Sequence, residues 1–248
     1  MLGKRDFAKE LGKNLLIYPF SIQSLDDSSY SLHASKFAWK LEEKVTAVSD
    51  DETTITIPAN KTVLVVTEES VSLQKKLSGI CCSGVSNATS GLTICTTPIK
   101  CGWIGRLIIT IHNTTASDIA INVGSKISVL IIDRLYTKAK GHAQNQNKKT
   151  ENLLTKLFPS IKIDSDDISP HHLTDIDAMK SELINDEQYK TFQKSQPKRW
   201  WLFALSLVVV IASIILAGER LGYENVLPVV IGSIVTFILG WWMHSFFT

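Results

Sequence analysis

Lys100, Arg106 and Thr110 fall in IKCGWIGRLIITIHN (Ile99 to Asn113), where a turn framed by Gly102 and Gly105 runs into an alternating strand. Alternation puts Leu107, Ile109 and Ile111 on one face and Arg106, Ile108, Thr110 and His112 on the other. Lys100 in the turn suits an anionic ligand, whereas a threonine hydroxyl such as Thr110 cannot shuttle a proton near neutral pH. A second group, Ser83, Gly84 and Ser86, lies in SGICCSGVSNATSGL, and a third, Ser31 and His33, follows Asp26 and Asp27. Together they admit phosphate contact through Lys100, Ser86 and His33, with Asp26 or Asp27 as a base. Metal chemistry finds less support. Cys81, Cys82, Cys95 and Cys101 form no C-x-x-C pair and no zinc-deaminase signature, so they read as buried thiols in a reducing cytoplasm, with a Cys81–Cys82 redox role as the alternative. Asp164, Asp166, Asp167, Asp175 and Asp177 lack calcium-loop spacing, and the adjacent His171 and His172 lack a template to converge on one ion. No metal and no cofactor is expected.

These residues must be positioned by strands. Strand signals fall at 15–19, 30–41, 53–57, 63–67, 71–73, 77–82, 92–96, 106–112, 119–123 and 126–132, nearly all separated by turn residues. That spacing is the pattern of a β-sandwich or barrel rather than of βαβ units. A short helix is expected at 6–11, before the first strand. Residues 138–199 read as a polar linker and connector, with amphipathic helices at 151–158 and about 173–193 and a mostly solvated surface. About 140 residues suffice for one soluble core.

The match to a known family runs through five collinear segments. The Ile99–Asn113 stretch resembles the central motif of the dUTPase and dCTP deaminase family, a glycine turn leading into a strand that ends in Asn. NLLIYPFSIQSLDDSSYSLHASKF resembles the opening with its S-Y-D-L-R signature, and TITIPANKTVLVVTEESVSL resembles the segment containing T-x-E-x-V-x-L. SGICCSGVSNATSGL resembles the G-R-S-S region, and NTTASDIAINVGSKISVLII resembles the segment that closes the domain. The resemblance covers residues 1–137 and implies a mainly β, dUTPase-like jelly-roll or barrel domain. It also implies a homotrimer with sites between subunits. In deaminases the general acid/base is a glutamate, and its position here is Thr110. The aspartate that orients water in dUTPases falls on Lys100. The Asp and Arg of the signature fall on Ser31 and His33, and the phosphate motif falls on Ser83, Gly84, Val85 and Ser86, without its arginine. The resemblance therefore marks Ser31, His33, Ser83, Gly84, Ser86, Lys100 and Thr110 as ligand-binding positions, with no catalytic residue retained.

The C-terminal residues change the class. Residues 200–218 and 227–247 are uncharged apolar runs near the ~20 residues a helix needs to cross a bilayer, separated by a short polar loop. They read as a transmembrane hairpin in residues 200–248, with Trp200, Trp201, Trp241 and Trp242 at one interface. Lys194, Lys198 and Arg199 precede the first run, so both termini are expected in the cytoplasm of a bacterial inner-membrane protein. Neither run holds an acidic or basic residue, which argues against a proton relay. The N-terminus has no apolar core segment, and no cleaved signal peptide is expected. A net charge of +2 is too small to indicate direct nucleic-acid binding.

Three functions fit. The β domain is a catalytically silent homo-oligomeric sensor that binds a nucleotide, cyclic nucleotide or protein and passes the event to the hairpin, a layout analogous to membrane effectors of antiviral defence. Alternatively the chain is a membrane-tethered hydrolase or deaminase with a rearranged site, or an interaction module with a vestigial pocket. Membrane lipid is an expected partner of the hairpin.

Overall fold

The alternating segments form strands because β-branched and aromatic residues recur between turn residues. The computed structural model describes residues 1–74, 76–137, 146–159, 168 and 170–196. Its strands are β1 (Leu15–Tyr18), β2 (Tyr30–Lys40), β3 (Val45–Thr46), β4 (Thr54–Ile57), β5 (Thr62–Leu73), β6 (Leu77–Cys82), β7 (Leu92–Ile94), β8 (Thr97–Ile99), β9 (Trp103–Asn113), β10 (Ile119–Asn122) and β11 (Lys126–Arg134). Its helices are α1 (Lys4–Glu10), α2 (Val85–Thr89), α3 (Gln146–Leu157), α4 (His171–Thr174), α5 (Ile176–Asn185) and α6 (Glu187–Ser195).

One sheet runs β7-β9-β5-β2-β11-β6-β8, with β1 beside β5 and β3 beside β2; β4 and β10 pair separately. The eleven-residue β2 joins two halves of this sheet. Its later part, from Ala34, pairs with β5, and Tyr30 to His33 pair with β11. Mainly β architecture thus holds, as one curled nine-stranded sheet and a separate two-stranded one. The two strands expected at 63–67 and 71–73 are one strand, β5, interrupted by a register shift between Val66 and Ser70. Such a bulge leaves ladder groups without backbone partners. Side chains replace them here: the Thr67 hydroxyl donates to the Glu69 carbonyl at 2.7 Å and accepts the Leu107 N–H at 2.9 Å.

The inner face of the sheet gathers the main core, including Leu16, Tyr30, Leu32, Val65, Ile109 and Leu130. Residues 173–192 differ from the expected solvated connector. Met179, Leu183 and Phe192 are buried in that core, and the Ser70 hydroxyl donates to the Leu173 carbonyl at 2.6 Å. The single helix expected there is three, because aspartates in extended backbone interrupt it. Asp175 accepts the N–H groups of Asp177 and Ala178, and Asp186 accepts that of Tyr189 at 2.9 Å. Each carboxylate is an N-cap that starts the next helix. Residues Met1–Ser195 form one compact unit. The expected spans at 200–218 and 227–247, with Lys198, Arg199 and the tryptophans, lie outside the described residues, as do Asp164, Asp166 and Asp167. Among the described residues no helix is long and apolar enough to cross a membrane.

Candidate functional site

The β9 strand alternates as its sequence requires. Leu107, Ile109 and Ile111 are buried in the main core, and Arg106, Ile108, Thr110 and His112 are half-buried on the opposite face. Thr110 lies opposite Leu64 on β5, and Leu64 lies opposite Trp39 on β2, so the three form a row across one sheet face. Leu64, Trp39 and Val66 pack with Leu154, Phe158 and Ile168 in a second apolar cluster, where the Trp39 and Phe158 rings are 5.6 Å apart. Partly buried Ile108 packs against the same cluster. The helix expected at 151–158 therefore forms, as α3, and buries an apolar edge against the face that carries Thr110. No carboxylate occupies that row.

At the Arg106 end the face opens into a cleft of about 450 Å³ lined by Ser35, Lys36, Phe37, Glu52, Glu68 and Arg106, among others. The Arg106 guanidinium lies 5.8 Å from the Phe37 ring centroid. Burial lowers its pKa, opposed by Glu68 and Glu69. Lys36 and Glu52 pair across the cleft at 2.9 Å.

The other marked residues lie on the β2–β11–β6 half. Ser31 is opposite Val129, which is opposite Cys82, and His33 is opposite Lys126. Ser83 and Gly84 follow β6, and Ser86 is in α2. A Cβ on Gly84 would stand 3.6 Å from Val129 Cγ2, 3.9 Å from Lys126 Cε and 3.9 Å from Ser86 Oγ. The fold thus gathers His33, Gly84 and Ser86 around Lys126. Lys100 is apart from them, in the turn after β8, since Ile99 pairs with Gly79 at the far end of β6. At ~3.3 Å per residue, the stretch of β9 from Trp103 to Thr110 also separates Lys100 from Thr110 by roughly 20 Å along one chain. Asp26 accepts the Asp27 N–H, and the Asp27 carbonyl accepts that of Lys4, which ties both to the N-terminal turn.

Glu69 and Lys126 are two residues that the sequence reading does not mark. Glu69 is 3% exposed, and its carboxylate accepts the His33 N–H at 2.9 Å and bonds the His33 Nδ1 at 2.5 Å. That bond is the main cause of a raised His33 pKa, against burial, which lowers it. The Thr-x-Glu-x-Val pattern and the histidine at a lost arginine position are the available signals for this pair. For Lys126 the signal is its place at the strand start just after the Gly124 turn. Among the cysteines only Cys81 is buried, and burial pushes its thiol up to about 12, so it stays protonated. Cys82 and Cys101 are half-buried and Cys95 is exposed. Among the described residues no group of three His, Cys, Asp or Glu side chains could hold a metal.

A dCTP deaminase from Thermococcus gammatolerans is 29% identical over 131 residues, covering 53% of this chain and 82% of that protein. Among solved structures, a mutant dUTPase of Staphylococcus bacteriophage 80alpha with dUpNHpp shares 16% identity and covers 53% of this chain and 89% of its own, at a TM-score of 0.37. The EIAV dUTPase shares 19% identity, covering 52% and 94%, at a TM-score of 0.36. The model of the dCTP deaminase-like family matches residues 1–135, more than half of the chain. This chain therefore belongs to the dCTP deaminase-like family.

Proposed function

We propose that this chain is a membrane-anchored, catalytically silent member of its family. It binds a nucleotide-like or protein ligand as a homo-oligomer and couples that event to a C-terminal transmembrane hairpin, as an antiviral-defence effector would. The observation that carries the loss of catalysis is the row Thr110–Leu64–Trp39. Deamination or hydrolysis needs a group that takes a proton from water, and a hydroxyl in a row with the apolar side chains of Leu64 and Trp39 offers none. The Thermococcus relative is a dCTP deaminase, which supports a nucleotide as the first ligand class to test. Hairpin and anchoring rest on the apolar runs at 200–218 and 227–247. Coupling requires a ligand with different affinities for two states of the assembly.

The test is a thermal-shift screen of the purified full chain against deoxynucleotides, ribonucleotides and cyclic oligonucleotides, with turnover followed by chromatography. A shift without product is expected. Product from dCTP or dUTP overturns the silent reading in favour of a rearranged enzyme. No shift across the panel overturns the nucleotide ligand and leaves a protein partner.

A further inference from the structure

The bulge in β5 sends two neighbouring carboxylates into different surroundings. Glu69 is buried beside His33, whereas Glu68 is exposed and lines the same cleft as Arg106. Ser70, just past the bulge, is the β5 partner of Arg106, so the break in the ladder sets a carboxylate near the guanidinium. Arg106 is half-buried, its guanidinium lies 5.8 Å from the Phe37 ring centroid, and its Nη1 donates to the Ile168 carbonyl at 3.5 Å. Gly124 lines the cleft as bare backbone, and a Cβ there would meet nothing within 4 Å. The charged lining residues are two cations, Lys36 and Arg106, and two carboxylates, Glu52 and Glu68, so the lining carries no net charge. A balanced cleft does not concentrate an anion. It suits a ligand with acceptors on one edge and donors on another. None of these residues is a position that the family resemblance marks.

We propose that this cleft binds a guanine base, with Arg106 donating to O6 and N7 and Glu68 accepting from N1–H and the N2 amino group. The inference rests on the nucleotide reading above and assigns the base. A guanidinium is a fork of donors with no acceptor, and an ionised carboxylate only accepts, so each demands an edge of one kind. Guanine presents two adjacent acceptors on one side and two adjacent donors on another. Adenine sets a donor beside N7, and cytosine and uracil each offer a carboxylate a single donor group. Both contacts to guanine are charge-assisted, the stronger class of hydrogen bond. At about 450 Å³ the cleft has room for a nucleoside. Phe37 also packs against the cluster of Trp39, Phe158 and Ile168, and Arg106 holds the Ile168 carbonyl. An occupied cleft therefore bears on the side chains that hold the connector to the sheet, which is the contact a coupled sensor requires.

The probes are GMP, IMP and CMP, titrated into the full chain by calorimetry. All three share one phosphate, and the base of IMP is guanine without its N2 amino group. Wild type binds GMP about tenfold tighter than IMP or CMP. Glu68→Gln weakens GMP by about tenfold and brings it level with IMP, with the melting temperature unchanged because Glu68 is exposed. Arg106→Lys keeps the cation and loses the fork, so it weakens GMP and IMP alike and preserves the preference between them. A merely structural Arg106 would instead lower the melting temperature and leave the affinities intact. GMP bound no tighter than CMP, or a preference over IMP that Glu68→Gln leaves standing, overturns the site. If CMP or another nucleotide of the panel above binds in that case, the nucleotide reading survives without it; if no nucleotide binds, both fail.

Discussion

At Glu69 a carboxylate that is 3% exposed takes the place of ladder partners lost at the β5 bulge and holds both the backbone and the ring of His33. A buried charge is tolerated only when its oxygens are bonded, so the pair is a unit. The raised His33 pKa means that the folded chain favours the imidazolium. Its stabilisation is therefore complete below the ordinary histidine value near 6.5 and is lost as pH rises through the higher folded value. Glu68 adds to this effect and Lys126 opposes it. Glu69→Gln is expected to cost about 2 kcal/mol below that window and to flatten the pH dependence within it, read by urea unfolding across a pH series. Thr110 gives a second expectation at this scale. Thr110→Glu restores a carboxylate in name only, since Leu64 and Trp39 share its row. It is expected to cost about 1 kcal/mol from partial burial without bonds and to yield no deamination of dCTP. Detectable product from that variant would overturn the account of the lost activity.

Among elements, the segment after β11 departs most from its sequence reading. Polar residues dominate 138–199, yet Leu154, Phe158 and Ile168 cover one sheet face while Met179, Leu183 and Phe192 close the other. Phe158→Ala is expected to destabilise the fold by roughly 3 kcal/mol, measured by the same unfolding; a solvated connector would show a change near zero. Gly12 tests the other attachment. It has φ +82, and an added Cβ would collide with the Tyr189 hydroxyl at the start of α6. Gly12→Ala combines left-handed strain with that clash and is expected to cost about 2 kcal/mol. Tyr189→Phe in the same background should recover part of the loss, because the colliding atom is removed.

For the whole molecule, the expected membrane hairpin gives a fractionation experiment. The full chain is expected in the carbonate-resistant membrane fraction and a chain stopped after Ser195, the end of the compact unit, in the supernatant. Full chain in the supernatant would overturn the anchored reading. The sequence by itself determined the alternation of β9, the strands on either side of it, the family and the absence of a carboxylate at Lys100 and Thr110. Those features are local: a period of two residues, a glycine turn and residue identity at aligned positions. Short β3 and β8 and the five-residue α2 escape it because each carries too few residues for a period to show. Burial within 138–199 escapes it too, because the apolar residues there are sparse and their burial depends on which sheet faces stand open to them. Only the tertiary structure decided which marked residues meet. It brings His33, Gly84 and Ser86 to Lys126, sets Lys100 and Thr110 elsewhere, and hides Glu69 beneath His33. Strand order and register fix those neighbours, and both come from pairings between residues distant in sequence, which no local pattern encodes.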